Sequence, residues 1–296
     1  MEKNDTVIIS DDQNSPLAKK ISLDLHAEYK NIELRIFADG ESKIRLDNMA
    51  KKNCIIVHST YPPTDQHLMQ LFMIMYKCKE DGAKDICVVS PYLAYTRQDK
   101  VFVDGEIITS NLVAKILACL GITKLVTIDS HKPNALNYSF ATIDLTAIPS
   151  LSSYVKHNLT MNNPIVISPD EGGIERAKKF AGLINANSLS LVKTRDRFTG
   201  DVSISLLDQG PLKNCDALIV DDMISTGASI MKTIELLKKY HIGNVYAICT
   251  HALLLDDAKQ KLLNAGIKEV ISTNSIPNEF AKVDLSSVIS NYFLNQ

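Results

Sequence analysis

Two adjacent acidic residues, Asp221 and Asp222, directly follow the apolar run Ala217–Val220, which predicts a buried strand. A short polar loop and a helical pattern come next. The start of a helix leaves backbone N–H groups unpaired and carries partial positive charge, so the loop could hold a phosphate. Carboxylates at the strand tip could accept hydrogen bonds from vicinal sugar hydroxyls. The alternative is an Asp-rich strand end and an ordinary helix cap. The loop contains Ser225, Thr226, Gly227, Ala228 and Ser229.

A second group, Arg97, Gln98 and Asp99, follows the predicted strand Ile86–Val89 and the turn at Pro91. Beyond the carboxyl end of a strand, a guanidinium can pair with phosphate and a planar side chain can lie on a base. The alternative is a surface ion pair between Arg97 and Asp99. The sequence has neither a P-loop nor a GxGxxG segment, so a nucleotide site here would use a different architecture.

A third group, Phe37, Asp39 and Glu41, follows the predicted strand Ile32–Ile36 in a turn at Gly40. The aromatic ring offers a stacking surface, and the carboxylates can accept hydrogen bonds from an exocyclic amine. Adenine is therefore the matching partner. A plain turn with a packed phenylalanine is the alternative.

His131 and Asp170 each follow a predicted strand, Lys124–Asp129 and Pro164–Ser168. Magnesium prefers few protein ligands together with phosphate oxygens and water, and one imidazole with one carboxylate suits it. A structural histidine at a strand end is the alternative.

Three cations, Lys193, Arg195 and Arg197, lie beyond the predicted strand Ser188–Val192, and residues 199–201 read as a loop. Mobile cations that close over a triphosphate would stabilise charge and exclude water. Alone, such a run is more typical of a solvated face.

The elements that must position these groups are short β-branched strands alternating with amphipathic helices, the pattern of parallel sheets covered by helices. The pattern restarts after Pro149, and no repeat or low-complexity linker separates the halves. We expect an α/β protein with two similar, doubly wound parallel-sheet domains, residues 1–145 and 146–296. The predicted helices are 16–29, 65–80, 107–120, 172–185, 228–240 and 256–264.

Composition narrows the class of protein further. The chain has 32 Lys and Arg against 34 Asp and Glu, so the formal net charge is −2 and no overall positive field would draw it to nucleic acid or a membrane. The longest apolar run is Leu71–Tyr76, far below the ~18 residues of a membrane span. No secretory signal is visible at the amino terminus, and the six cysteines match no zinc or disulfide pattern. We expect a cytoplasmic protein whose cysteines are mostly core residues.

The segment from Ala217 to Ser229 resembles the phosphoribosyl-diphosphate motif of the type I phosphoribosyltransferase fold. Together with four further segments, it makes the chain similar to the ribose-phosphate diphosphokinase (phosphoribosyl-diphosphate synthetase) family, most of all its archaeal branch. The four segments are Phe37–Glu41, Pro91–Lys100, Ser168–Gly173 and Lys193–Arg195.

This resemblance implies an enzyme that uses ATP, ribose 5-phosphate and Mg²⁺ and works as a homo-oligomer, at least a dimer. It assigns catalysis to Lys193 and Arg195 and the metal to His131 and Asp170. ATP would contact Phe37, Asp39, Glu41, Arg97, Gln98, Asp99 and His131. Ribose 5-phosphate would contact Asp170, Asp221, Asp222, Ser225, Thr226, Gly227, Ala228 and Ser229.

Two alternatives remain open from the sequence: a phosphoribosyltransferase, and a non-catalytic regulatory paralogue. The adenine-type segments argue against the first. The retained Lys193, Arg195, His131 and Asp170 argue against the second. The chain also departs from the bacterial pattern. His131-Lys-Pro-Asn134 replaces a His-Ala-Glu-Gln segment, Ser225 stands where aspartate is usual, and Ala228-Ser229 replaces Gly-Thr.

Overall fold

The computed structural model describes residues 5–131, 138–195, 202–206 and 212–296, with backbone alone for 191–195 and 202–206. The chain divides into two compact units. The first comprises Met1–Thr146, Ser275–Pro277 and Asp284–Gln296, and the second comprises Ala147–Asn274 and Asn278–Val283.

The first unit is built on a parallel sheet. Its strands are β1 (Thr6–Ser10), β2 (Glu28–Asn31), β3 (Glu33–Ile36), β4 (Ser42–Arg45), β5 (Asn53–Val57), β6 (Asp85–Ser90), β7 (Lys124–Ile128) and β8 (Ala141–Leu145). Six of them form the sheet in the order β2-β1-β5-β6-β7-β8, with every neighbouring pair parallel. Its helices are α1 (Ser15–Leu25), α2 (Thr64–Glu80) and α3 (Thr109–Cys119).

The core of the first unit follows from the apolar patterning. Strands β1 and β5 are buried along their whole length, as expected for a parallel sheet covered on both faces. Helix α2 packs Leu71, Ile74 and Met75 into the same core, at the three- and four-residue steps that mark one helical face. This stripe is therefore structural.

A small antiparallel hairpin, β3–β4, stands apart from the parallel sheet. The sequence predicts a single strand over Ile32–Ile36. The structure begins this strand one residue later, as β3; Ile32 before it is buried in the core, β3 is mostly exposed, and β2 is a strand that the sequence does not predict. The hairpin turn at Phe37–Glu41 is therefore carried on an exposed ribbon.

The second unit repeats this architecture. Its strands are β9 (Ile165–Ser168), β10 (Asn187–Arg195), β11 (Val202–Leu206), β12 (Ala217–Ile224), β13 (Val245–Ala252), β14 (Ile267–Thr273) and β15 (Ala281–Val283). The order is β11-β10-β9-β12-β13-β14-β15, antiparallel only between β10 and β11. Its helices are α4 (Ile148–Asn158), α5 (Ile174–Ile184), α6 (Ala228–Leu237) and α7 (Ala258–Ala265). The two sheets confirm the predicted α/β class.

Each sheet has a point where the direction of winding reverses. After β1 the chain adds β2 on one side and later places β5 on the other, and after β9 it does the same with β10 and β12. Ligands of such sheets bind at the carboxyl ends of the strands beside this switch point. In the second unit these are the ends of β9 and β12.

The last helix, α8 (Ser286–Leu294), belongs to the first unit, whereas the sequence places all of residues 146–296 in the second domain. The difference arises because α8 packs against α1, and Asp284 forms an ion pair with Lys20 of that helix. No helix within the described ranges is both long and apolar enough to cross a membrane.

Candidate active site

The acidic pair lies at the carboxyl-terminal part of β12, which runs two residues beyond Asp222, to Ile224. The Asp221 carboxylate accepts a hydrogen bond from the backbone N–H of Asp222 at 2.9 Å. The Asp222 carboxylate accepts one from the backbone N–H of Met223, also at 2.9 Å. The strand backbone therefore fixes one oxygen of each carboxylate.

A third charged residue, Arg176 of α5, joins the two carboxylates. Its Nη1 lies 3.2 Å from Oδ1 of Asp221, and its Nη2 lies 3.7 Å from Oδ2 of Asp222. The side chains of Arg176, Asp221 and Asp222 are only 19%, 15% and 5% exposed, respectively. No sequence motif singles out Arg176, which lies just after the Gly-Gly turn that follows β9.

Burial dominates the electrostatics of this pair. It raises the pKa of Asp221 to about 8, the negative charge of Asp222 adds to the rise, and Arg176 opposes it. Two carboxylates this close resist joint ionisation, and a neighbouring guanidinium favours the charged form. Arg176 therefore holds the pKa of Asp221 below the value that burial and the charge of Asp222 alone would give it.

Asp170 lies between β9 and α5 and caps the turn that follows it. Its Oδ1 accepts a hydrogen bond from the backbone N–H of Gly173 at 3.1 Å. The turn is tight, because a Cβ on Gly173 would lie 2.5 Å from Oγ of Ser168. Since β9 and β12 are parallel neighbours, their carboxyl ends, and hence Asp170 and the acidic pair, share one edge of the sheet.

The predicted phosphate loop connects β12 to α6. Backbone N–H groups of Leu254 and Leu255 donate to the carbonyls of Ile224 and Ser225, at 3.0 and 3.1 Å. These bonds anchor the start of the loop from the neighbouring chain segment. The side chains of Thr226, Ala228 and Ser229 are exposed, so the hydroxyls and the start of α6 can be reached by a ligand.

Gly227 is required by the geometry of this loop. It adopts φ +74°, and a Cβ there would lie 3.2 Å from Leu262. We expect Gly227→Ala to lower the free energy of unfolding by about 2–3 kcal/mol. The alanine backbone would be strained at this positive φ, and its Cβ would be overpacked against Leu262.

The matched control is Gly82→Ala, because Gly82 has φ +78° and a Cβ added there would meet nothing within 4 Å. This substitution should lower the free energy of unfolding, measured by urea denaturation, by only about 1 kcal/mol. Equal losses for the two variants would show that Leu262 contributes nothing.

The adenine-type turn in the first unit is exposed and well formed. The backbone N–H of Phe37 donates to the carbonyl of Glu41 at 2.8 Å, and Asp39 accepts from the N–H of Glu41 at 3.1 Å. Gly40 has φ +91°, which favours glycine. The Phe37 ring is 38% exposed and lies 5.0 Å from the guanidinium carbon of Arg35. One aromatic face and two carboxylates are thus presented together.

Arg97 and Gln98 line a cavity of about 920 Å³ within the first unit. The Gln98 side chain accepts a hydrogen bond from the Thr109 hydroxyl at 2.6 Å, which fixes its amide plane. The Tyr95 hydroxyl donates to Asp65, and both also border the cavity. The cavity is large enough for a nucleotide, since small-molecule sites span ~300–1,000 Å³. Asp99 is half-buried beside this segment.

His131 is exposed and follows β7 in the first unit, where Asp144 accepts from the neighbouring backbone N–H of Ser130 at 3.1 Å. Burial raises the pKa of Asp144. No group of three or more His, Cys, Asp or Glu residues in the described part of the chain could hold a metal. Asp170, in the second unit, offers a carboxylate, an oxygen ligand of the kind that Mg²⁺ takes together with phosphates and water. Residues 132–134, where the sequence departs from the bacterial pattern, lie outside the described residues.

Lys193 and Arg195 lie on β10, whereas the sequence ends this strand at Val192. The strand is longer because β11 pairs with it, Lys193 opposite Ile204 and Arg195 opposite Val202. Arg197 and the predicted loop at 199–201 lie outside the described residues.

Comparison with known proteins decides the family. One family model, the N-terminal domain of ribose phosphate pyrophosphokinase, matches residues 6–121, and another, the phosphoribosyl synthetase-associated domain, matches residues 209–291. A ribose-phosphate pyrophosphokinase of Sulfurisphaera tokodaii is 33% identical over 284 residues, which are 95% of this chain and 97% of that protein. The chain belongs to the ribose-phosphate pyrophosphokinase family.

Two further relatives agree with this assignment. The ribose-phosphate pyrophosphokinase of Saccharolobus solfataricus is 34% identical over 96% of this chain and 99% of its own length. The crystal structure of phosphoribosylpyrophosphate synthetase from Mycobacterium smegmatis superimposes with a TM-score of 0.87 and 26% identity, over 99% of this chain and 100% of that one. The predicted family, with its archaeal resemblance, is confirmed. A member of the ribose-phosphate pyrophosphokinase family is an enzyme and a transferase, as the sequence predicts.

Proposed function

We propose that this chain transfers the β,γ-diphosphoryl group of ATP to the C1 hydroxyl of ribose 5-phosphate, giving 5-phosphoribosyl 1-diphosphate and AMP. Family membership supports the reaction. The observation that carries it in this chain is the acidic pair at the end of β12, followed by an open loop and the start of α6. That arrangement suits a sugar phosphate.

The second unit would bind ribose 5-phosphate. Asp221 and Asp222 would accept hydrogen bonds from the ring hydroxyls, with Asp170 nearby at the same sheet edge. The loop Ser225–Ser229 and the positive end of α6 would hold the 5-phosphate. Both ends of the sugar would then be fixed, so its C1 hydroxyl would be presented in one orientation.

The first unit would bind ATP. Phe37 would stack on adenine, while Asp39 and Glu41 would accept from its amine. Arg97 would pair with phosphate oxygens of ATP. Gln98, Asp99 and His131 would also contact ATP. The cavity beside Arg97 and Gln98 supports this assignment. We therefore assign ATP binding to domain 1–145 and ribose 5-phosphate binding to domain 146–296.

The transfer itself would be helped mainly by charge and position. The C1 oxygen attacks the β phosphorus, and the bond from that phosphorus to the oxygen bridging the α phosphate breaks. Negative charge builds on the departing AMP, and Lys193 and Arg195 would neutralise it. His131 and Asp170 would hold Mg²⁺, which supplies further positive charge at the phosphate oxygens when bound.

The direct test measures products. The purified chain is incubated with ATP, Mg²⁺ and ribose 5-phosphate, and nucleotides are separated by chromatography. AMP should appear in equal amounts with phosphoribosyl diphosphate. ADP would identify a simple kinase, and consumption of added phosphoribosyl diphosphate with a base would identify a phosphoribosyltransferase. If no ATP is turned over, the chain is a non-catalytic paralogue.

A variant test addresses the sugar site. We expect Asp222→Asn and Thr226→Ala each to raise the KM for ribose 5-phosphate about tenfold and to change the KM for ATP much less. Thr226→Ser keeps the hydroxyl and should stay close to the parent enzyme. A larger rise in the KM for ATP than in the KM for ribose 5-phosphate would show that these residues bind ATP and not the sugar.

We further propose that the enzyme is a cytoplasmic homo-oligomer, at least a dimer. All six cysteines are free thiols, which suits a reducing compartment. The exposed turn of the β3–β4 hairpin supports assembly, because the Phe37 ring at this turn is suited to complete a site on a neighbouring chain.

A further inference from the structure

Arg176 lies half-buried beside two acidic residues, yet the reaction proposed above assigns it no part. Its guanidinium contacts Asp221 at 3.2 Å and Asp222 at 3.7 Å, and only 19% of its side chain is exposed. A planar guanidinium presents several N–H donors in a fixed fork, so it can hold two carboxylates at once. A lysine at the same place would offer a single point charge.

The turn before α5 is built to let Arg176 reach β12. A Cβ on Gly173 would lie 3.3 Å from Nη1 of Arg176 and 2.5 Å from Oγ of Ser168. Asp170 fixes the same turn through the N–H of Gly173, so α5 starts at a defined place beside β12. Arg176 follows in the first turn of the helix.

We propose that Arg176 is a positioning residue that holds Asp221 and Asp222 in the orientation that accepts the hydroxyls of ribose 5-phosphate. The inference rests on the proposed function, because it assumes that the acidic pair binds the sugar. Arg176 would act through the carboxylates and not touch the sugar.

The charges around Asp221 give this role a measurable consequence. Asp222 on the same strand and the Cys249 thiol on β13 lie near Asp221. Arg176 of α5 contacts the Asp221 carboxylate as a cation, and the neighbouring strand β9 ends at the uncharged Ser168. Burial and Asp222 raise the pKa of Asp221 to about 8. Removing Arg176 would raise this pKa further, so Asp221 would lose its negative charge at a higher pH than in the parent enzyme.

The experiment compares Arg176→Gln with Lys178→Gln, which removes an exposed cation of the same helix that pairs with Glu175. KM for each substrate, kcat and thermal unfolding are measured from pH 6 to pH 9.5. We expect Arg176→Gln to raise the KM for ribose 5-phosphate about tenfold at neutral pH and to leave the KM for ATP within about twofold. The pH at which sugar affinity is half-maximal should move upward. Lys178→Gln should leave all these values unchanged.

Arg176→Lys covers the case in which the glutamine variant does not fold. Because an ammonium cannot hold both carboxylates, it should still raise the KM for ribose 5-phosphate about threefold. An unchanged KM in the lysine variant, or equal losses for both substrates, would overturn the positioning role. Asp222→Asn tests the proposed sugar site separately from the role of Arg176. If it leaves the sugar KM unchanged, the proposed sugar site fails; if it raises that KM while both Arg176 variants do not, only the inference about Arg176 fails.

Discussion

Lys193→Ala is expected to lower kcat by about 100-fold or more while leaving the KM for ribose 5-phosphate within a few-fold of the parent value. The reason is that a cation neutralising charge on the departing AMP acts mainly in the transition state. In the proposed site the sugar would be held by groups on β12 and its loop, which the substitution leaves intact.

The control is Lys261→Ala, which removes an exposed lysine of α7 paired with Asp257 in the same unit. An exposed pair of this kind contributes little, so kcat should stay within about twofold. Steady-state kinetics with both substrates varied would separate kcat from KM. A normal kcat in Lys193→Ala would remove Lys193 from catalysis.

The parts of the site that could be predicted from sequence are local. Asp221, Asp222 and Ser225–Ser229 are nearly consecutive, so a buried strand followed by a polar loop and a helix places them together without knowledge of the rest of the fold. The Phe37–Glu41 turn could be recognised for the same reason. Alternation of strands and helices predicted the parallel sheets, because a parallel strand pair needs a crossover connection.

The parts that could not be predicted depend on contacts between distant segments. Arg176 lies 45 residues from Asp221, and its role appears only when β9 and β12 are neighbours in the sheet. Strand β10 continues to Arg195 because β11, which comes later in the chain, pairs with it. Helix α8 joins the first unit through α1, which no local pattern indicates.

Phe37→Ala and Arg97→Ala are each expected to be nearly inactive. The first variant loses the stacking surface for adenine, and the second loses a charge-assisted contact with phosphate. Phe37 lies on the exposed β3–β4 hairpin and Arg97 on the cavity wall. The resemblance of the chain to its family implies that these two residues meet in one site from different subunits.

Mixing the two inactive variants tests whether the site is shared. After subunit exchange, a site that takes Phe37 from one chain and Arg97 from another is intact in about a quarter of random pairings in a symmetric oligomer. About a quarter of the parent activity should therefore return. Each variant reassembled alone, and a Phe37→Ala, Arg97→Ala double variant mixed with either, should regain none, because every site then lacks one of the two groups. If mass spectrometry shows mixed oligomers but activity does not return, both groups must come from a single chain, and assembly would then have no part in building the nucleotide site.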